Sequence, residues 1–163
     1  MPEPPLRLGE IVVVGGGCYG TFYTEQLTEA RDQGKLTHER LLVVDRDADC
    51  QLRRSRSDLR DYELVTEDWD AFFDAYLGEA PDGSRTLPPN SVIVPSPLMP
   101  HLMYRWLLQR ARTRWPDRTV ETASLEAAIG TPYETTAPDR TRYVSFADWI
   151  CPTHCIEPAT CPV

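Results

Sequence analysis

Apolar positions along the chain follow two alternating patterns. Glu10-Ile11-Val12-Val13-Val14 is a continuous β-branched run ending in glycines, as expected of a strand buried on both faces. Beyond the glycines, Tyr23, Leu27 and Ala30 recur at spacings of four and three, a helical stripe that Gly34 stops. Leu41-Leu42-Val43-Val44 reads as a second buried strand closed by Asp45, and Tyr62 to Thr66 as a weaker third. Asp68 stands where it can cap a helix with the apolar face Trp69, Phe72, Phe73, Tyr76 and Leu77. A polar loop from Gly78 to Asn90 leads to a fourth strand, Ser91 to Val94. The helix that follows runs from Leu98 to about Trp115 and turns Leu102, Met103, Trp106 and Leu107 inward.

Strands alternating with helices of this length imply right-handed crossovers and a parallel sheet. The expected fold is α/β: a single doubly wound, Rossmann-like parallel sheet with a short Cys-rich C-terminal extension. Residues 1–150 form the nucleotide-binding domain of this scheme and residues 151–163 the tail. Thr119 to Thr122 is a candidate fifth strand, Ser124 to Ile129 a short helix, and Tyr143 to Phe146 a last strand. If that last strand is parallel, the tail emerges beside the ligand crevice; if antiparallel, it lies at the far edge.

Composition narrows the class of protein. The 163 residues suffice for one domain of ordinary size, and 41% hydrophobic with 26% charged residues describes a folded chain. A net charge of −8 argues against nucleic acid or an anionic membrane as the main partner. No apolar run approaches the ~20 residues of a membrane span. The opening Met-Pro-Glu-Pro-Pro lacks the basic and apolar regions of a signal peptide, so the expected location is cytoplasmic.

The chemistry begins at Gly15-Gly16-Gly17-Cys18-Tyr19-Gly20, which fits G-x-G-x-x-G between a strand and a helix. In such a loop one glycine permits the tight turn and one lets the backbone approach a pyrophosphate. The last lets helix pack on strand. Free amides and the helix dipole then hold the negative charge. Asp45 lies 25 residues after Gly20 at the end of the second strand, where a carboxylate can accept the ribose hydroxyls. A carboxylate there repels a 2′-phosphate, so NAD is favoured over NADP despite the neighbouring Arg46. FAD and S-adenosylmethionine use similar loops. The candidate cofactor contacts are Gly15, Gly16, Gly17, Cys18, Tyr19, Gly20 and Asp45, with Ser96 after the fourth strand. His101, which borders the same crevice, is the candidate acid–base residue.

On these motifs, residues 10 to about 110 resemble Rossmann NAD(P)-binding domains, and especially the TrkA-type domains of potassium-transport regulators. The resemblance implies a dinucleotide held by Gly15, Gly17, Gly20 and Asp45. It ends near residue 115, where a Cys-rich tail stands in place of that family's second ligand-binding domain.

Three of the five cysteines fall in the last 13 residues. Cys151, His154, Cys155 and Cys161 offer three thiolates and one imidazole, a complete tetrahedral set for zinc. An iron–sulfur cluster that recruits Cys18 or Cys50 is the alternative metal site, and a thiol pair or plain packing the non-metal ones. The Arg53-Arg54-Ser55-Arg56 cluster sits among carboxylates and reads as a salt-bridged solvated face.

The expected function is therefore a small NAD-type Rossmann protein with a metal or iron–sulfur site. It would act as an oxidoreductase or redox-linked subunit, as a homo-oligomer or with a larger protein partner. Two alternatives stand beside it: a non-catalytic nucleotide-sensing module, and a small S-adenosylmethionine-dependent methyltransferase.

Overall fold

The β-branched run at residues 10–14 does become the centre of a sheet. A computed structural model describes residues 4–78, 87–97, 99, 101–138 and 140–146. Its elements are β1 (Leu6–Arg7), β2 (Glu10–Val14), α1 (Cys18–Asp32), β3 (Leu36–Thr37), β4 (Arg40–Asp45), α2 (Gln51–Ser55), β5 (Glu63–Thr66), α3 (Trp69–Tyr76), β6 (Val92–Val94), α4 (His101–Arg114), β7 (Tyr133–Thr136) and β8 (Arg142–Ser145). The chain forms two compact units, Met1–Arg110 and Ala111–Val163.

In the first unit four strands form a parallel sheet in the order β5-β4-β2-β6. Period-two alternation divides the two central strands between two apolar layers. Ile11, Val13, Leu41 and Val43 pack with Tyr23, Leu27 and Ala30 of α1 and Leu52 of α2. Val12, Val14, Leu42 and Val44 pack with Phe72 and Phe73 of α3 and Leu102 of α4. Each such buried aliphatic contributes about 1.5–3 kcal/mol, whereas an exposed ion pair contributes about 1 kcal/mol at most. The apolar rows therefore dominate the register, and Arg40 reinforces it by pairing with Glu10 on β2 and Glu63 on β5. Short β1 and β3 pair in parallel ahead of these strands.

Local signals act where the pattern places them. The Asp68 carboxylate caps α3 by accepting the N–H groups of Asp70 and Ala71. Gly34, at φ +69°, follows α1. The expected apolar face of α3 lies in the second layer in full. On α4 the expectation holds only in part. Leu102 is buried and Trp106 packs beside it, but Met103 and Leu107 are exposed, Leu107 by 55%. Positions 102 and 106 share a face, and each next residue lies about 100° round the helix.

Of the C-terminal expectations, the last strand over Tyr143 to Phe146 is present as β8 (Arg142–Ser145), and the other two need correction. Residues 119–122 form no strand and residues 124–129 no helix. Instead β7 and β8 make an antiparallel hairpin with Tyr133 opposite Ser145, in a two-stranded sheet of its own. The sheet of the first unit thus gains no strand from it, and a single sheet does not account for the described strands. The preceding segment is fastened by side chains: Glu134 accepts the N–H groups of Ile129 and Gly130, and Arg142 donates to the Ala127 carbonyl oxygen. Amides and carbonyls committed in this way are withdrawn from a local helix. The expected boundary after residue 150 lies outside the described residues.

Candidate functional site

β2 ends in four valine and isoleucine residues, and the glycines that follow turn the chain directly into α1. Gly15 has φ +86°, a conformation that favours glycine, and its N–H donates to the Val44 carbonyl at 2.8 Å. An added Cβ at Gly20 would lie 1.7 Å from the Gly15 carbonyl oxygen, so only glycine lets α1 approach β2 this closely. At Gly17 an added Cβ would meet no atom of the described residues within 4 Å. Gly17 is also the N-cap of α1, supplies no side-chain cap, and is followed by no acidic residue in the first turn. Nothing on α1 therefore neutralises its positive end, and among the described residues the space beside Gly17 is open to an anion.

Gly16 is held differently. Its N–H donates to Asp45 Oδ2 at 2.6 Å, and its carbonyl accepts the Leu52 N–H at 2.8 Å. A Cβ on Gly16 would stand 2.4 Å from Cys50 Sγ, so the buried Cys50 thiol occupies the space of a side chain there. Asp45 Oδ1 accepts the Asp47 N–H at 2.8 Å. Each carboxylate oxygen keeps a further lone pair with which to accept a hydroxyl. The loop is thereby stitched to residues 45–52.

On the other side, the connection after β6 borders the loop. Ser96 is buried, its carbonyl accepts the Met99 N–H, and Met99 Cε would lie 3.4 Å from a Cβ on Gly15. β2 lies between β4 and β6, so strand order reverses beside it, and open α/β sheets bind ligands at such a reversal.

The structure thus brings Gly15, Gly16, Gly17, Gly20 and Asp45 together, with Ser96 close by through Met99. Cys18 is half-buried at the first position of α1 and carries a free thiol. Tyr19 stacks on Tyr23 of the same helix at 6.4 Å between centroids. His101 is exposed at the first position of α4, and no described contact joins it to the loop. Cys151, His154, Cys155 and Cys161 lie outside the described residues. Among the described residues no group of three or more His, Cys, Asp or Glu is placed to hold a metal.

The arginine face is ion-paired as expected. Arg54 lies near Asp47 and Asp49, and Arg56 pairs with Glu25 and Asp58. The hydrogen bond from Arg56 holds the Asp58 carboxyl down to about 2. Two features escape sequence reasoning: the wedge of Cys50 under Gly16, and the capture of Arg46 by Asp68 and Trp69. Only adjacency to Asp45 and the capping role of Asp68 hinted at the second.

A family model described as "Uncharacterized protein, C-terminal domain" matches residues 103–163. No curated protein and no solved structure matches the chain significantly. Among the described residues no helix is long and apolar enough to cross a membrane.

Proposed function

We propose that the first unit binds a dinucleotide of the NAD type, with its pyrophosphate over Gly15 to Gly20. The observation that carries this reading is the division of labour among the glycines. Gly15 makes the turn and Gly20 the close approach of helix to strand, while among the described residues nothing crowds Gly17, which leaves space for a ligand. The four-strand order and the helices on both faces support a doubly wound, Rossmann-like sheet. Asp45 would accept the ribose hydroxyls with its remaining lone pairs, and Ser96 would contact the cofactor from the loop after β6. In this reading the protein is a small cytoplasmic redox protein or redox-linked subunit. His101 is its candidate acid–base residue, and Cys151, His154, Cys155 and Cys161 form its zinc or iron–sulfur site.

A nucleotide-sensing module is the second reading. It is favoured by the ties between Gly16 and Asp45, Cys50 and Leu52, through which a ligand on the loop would bias α2. A sensor binds NAD and turns nothing over, a redox enzyme transfers hydride, and a methyltransferase prefers S-adenosylhomocysteine. Calorimetric titration with NAD and S-adenosylhomocysteine separates the ligand classes. Gly17→Val is expected to lower NAD affinity at least about tenfold, because the side chain enters the open space and blocks close backbone approach. Unchanged affinity in that variant rejects the loop as the binding site.

A further inference from the structure

The apolar rows that face α3 are broken at one end by charge. Side chains alternate between the two faces of the sheet, so Glu10 belongs to the row of Val12 and Val14, and Arg40 to that of Leu42 and Val44. Glu10 is nevertheless only 6% exposed. Its Oε1 lies 2.7 Å from Arg40 Nη1, while Arg40 Nη2 lies 2.8 Å from Glu63 Oε2. One guanidinium thus serves two carboxylates, and Glu10 keeps lone pairs that Arg40 does not reach. A buried carboxylate matched so incompletely is costly unless another group solvates it.

Glu10 and Arg40 open into a cleft of about 400 Å³, to which Glu67 adds a second carboxylate. Val65, Phe72 and Leu87 supply its apolar wall. Phe72 and Tyr76 stack there at 5.1 Å between centroids. The Tyr76 hydroxyl is buried near the Glu10 carboxylate and the Ser91 hydroxyl, and it makes a well-formed hydrogen bond to no described residue. Ser91 is already committed, since it accepts the Glu10 N–H and donates to the Pro88 carbonyl. Burial and the Glu10 charge push the Tyr76 phenol up to about 12, so its oxygen stays protonated near neutral pH and can still accept.

We propose that this cleft binds a small organic cation, a protonated amine on an apolar body. The ammonium donates to the free lone pairs of Glu10, to Tyr76 Oη and to Glu67, beside an aromatic face that attracts positive charge. The body lies on Val65, Phe72 and Leu87. Among the described residues that line the cleft, Arg40 is the one cation, and its charge is already divided between Glu10 and Glu63. An anion would meet two carboxylates there, and a neutral alcohol would leave Glu10 without a counter-charge. Glu10 and Arg40 begin their strands, whereas the glycine loop follows the end of β2. The site is therefore separate from the proposed dinucleotide site and stands without it.

Calorimetric titration of the full chain with phenethylamine, phenethyl alcohol and phenylacetate tests the charge preference. Phenethylamine is expected to bind saturably and at least about tenfold tighter than the other two. Glu10→Gln, with its fold checked by circular dichroism, is expected to weaken the amine at least about tenfold. Tyr76→Phe removes only the hydroxyl, and Glu67→Gln neutralises an exposed side chain; each is expected to weaken the amine about threefold. Absence of saturable amine binding, or equal affinity for the alcohol, overturns the cation site. Wild-type amine affinity in both Tyr76→Phe and Glu67→Gln puts the amine elsewhere and overturns the cleft, even where Glu10→Gln fails to fold.

Discussion

A methyl group on Gly20 would sit 1.7 Å from a backbone oxygen, and one on Gly17 would touch no described residue. Two glycines of one motif therefore differ: the first is required by folding, and the second by no described neighbour. Gly20→Ala forces α1 away from β2, since the clash is with a carbonyl and not with the end of a flexible side chain. Overpacking of this kind costs about 3 kcal/mol or more. Gly17→Val costs about 1 kcal/mol or less, because it affects only the N-cap. Urea denaturation of both variants checks the contrast, and equal midpoints contradict this account of the loop. Gly16 belongs with Gly20, since a side chain there competes with the Cys50 thiol for one volume.

Helix α4 shows how an element can be correctly expected and still be wrongly oriented in part. Its four large apolar residues read as one inward stripe, but only Leu102 and Trp106 reach the layer formed by Val12, Val14, Leu42 and Val44. Leu102→Ala is expected to cost about 2–4 kcal/mol through lost transfer energy and a cavity. Leu107→Ala is expected to fall within about 0.5 kcal/mol, as for other exposed positions. Equal losses in thermal or urea unfolding place both residues in the core and contradict the orientation found here. Helix α3 is the counter-case. Its cap, its apolar face and its hold on Arg46 all derive from Asp68 and the aromatic residues directly after it.

The molecule divides at about the place where the family match begins. The matched residues 103–163 contain the whole of the second unit and all of α4 but its first two residues. The hairpin of that unit exposes Tyr143 and Val144, Phe146 just after it is exposed, and the segment before it exposes Leu125 and Ile129. The cysteine-rich tail belongs to the same matched span, so its proposed metal would act within that module. One metal ion per chain is expected from elemental analysis of protein purified without oxygen. Cys155→Ser should lower that content several-fold by removing a thiolate ligand. Stoichiometric zinc without colour supports a structural site, and iron with sulfide supports a redox one. A metal-free chain rejects both.

What the sequence determined by itself is local. β-branched runs specify the buried strands, a carboxylate before an aromatic stripe specifies a capped helix, and the spacing of glycines specifies a strand–turn–helix. Each signal acts within a few residues, through backbone conformation or hydrogen bonds that the segment makes with itself. The fate of residues 119–136 was not legible in this way, although the last strand, β8, was. There Glu134 accepts amides four and five residues before it and Arg142 reaches back fifteen residues to the Ala127 carbonyl, contacts that oppose a local helix and accompany a hairpin. The same holds for the occupant of the space beside Gly16 and for the partner of Arg46. Cys50 reaches Gly16, and Asp68 reaches Arg46, only because the parallel register of β2, β4 and β5 brings their carboxyl ends side by side. Tertiary structure alone made those choices, since register and crossover determine which side chains become neighbours across strands, and pattern within one strand does not.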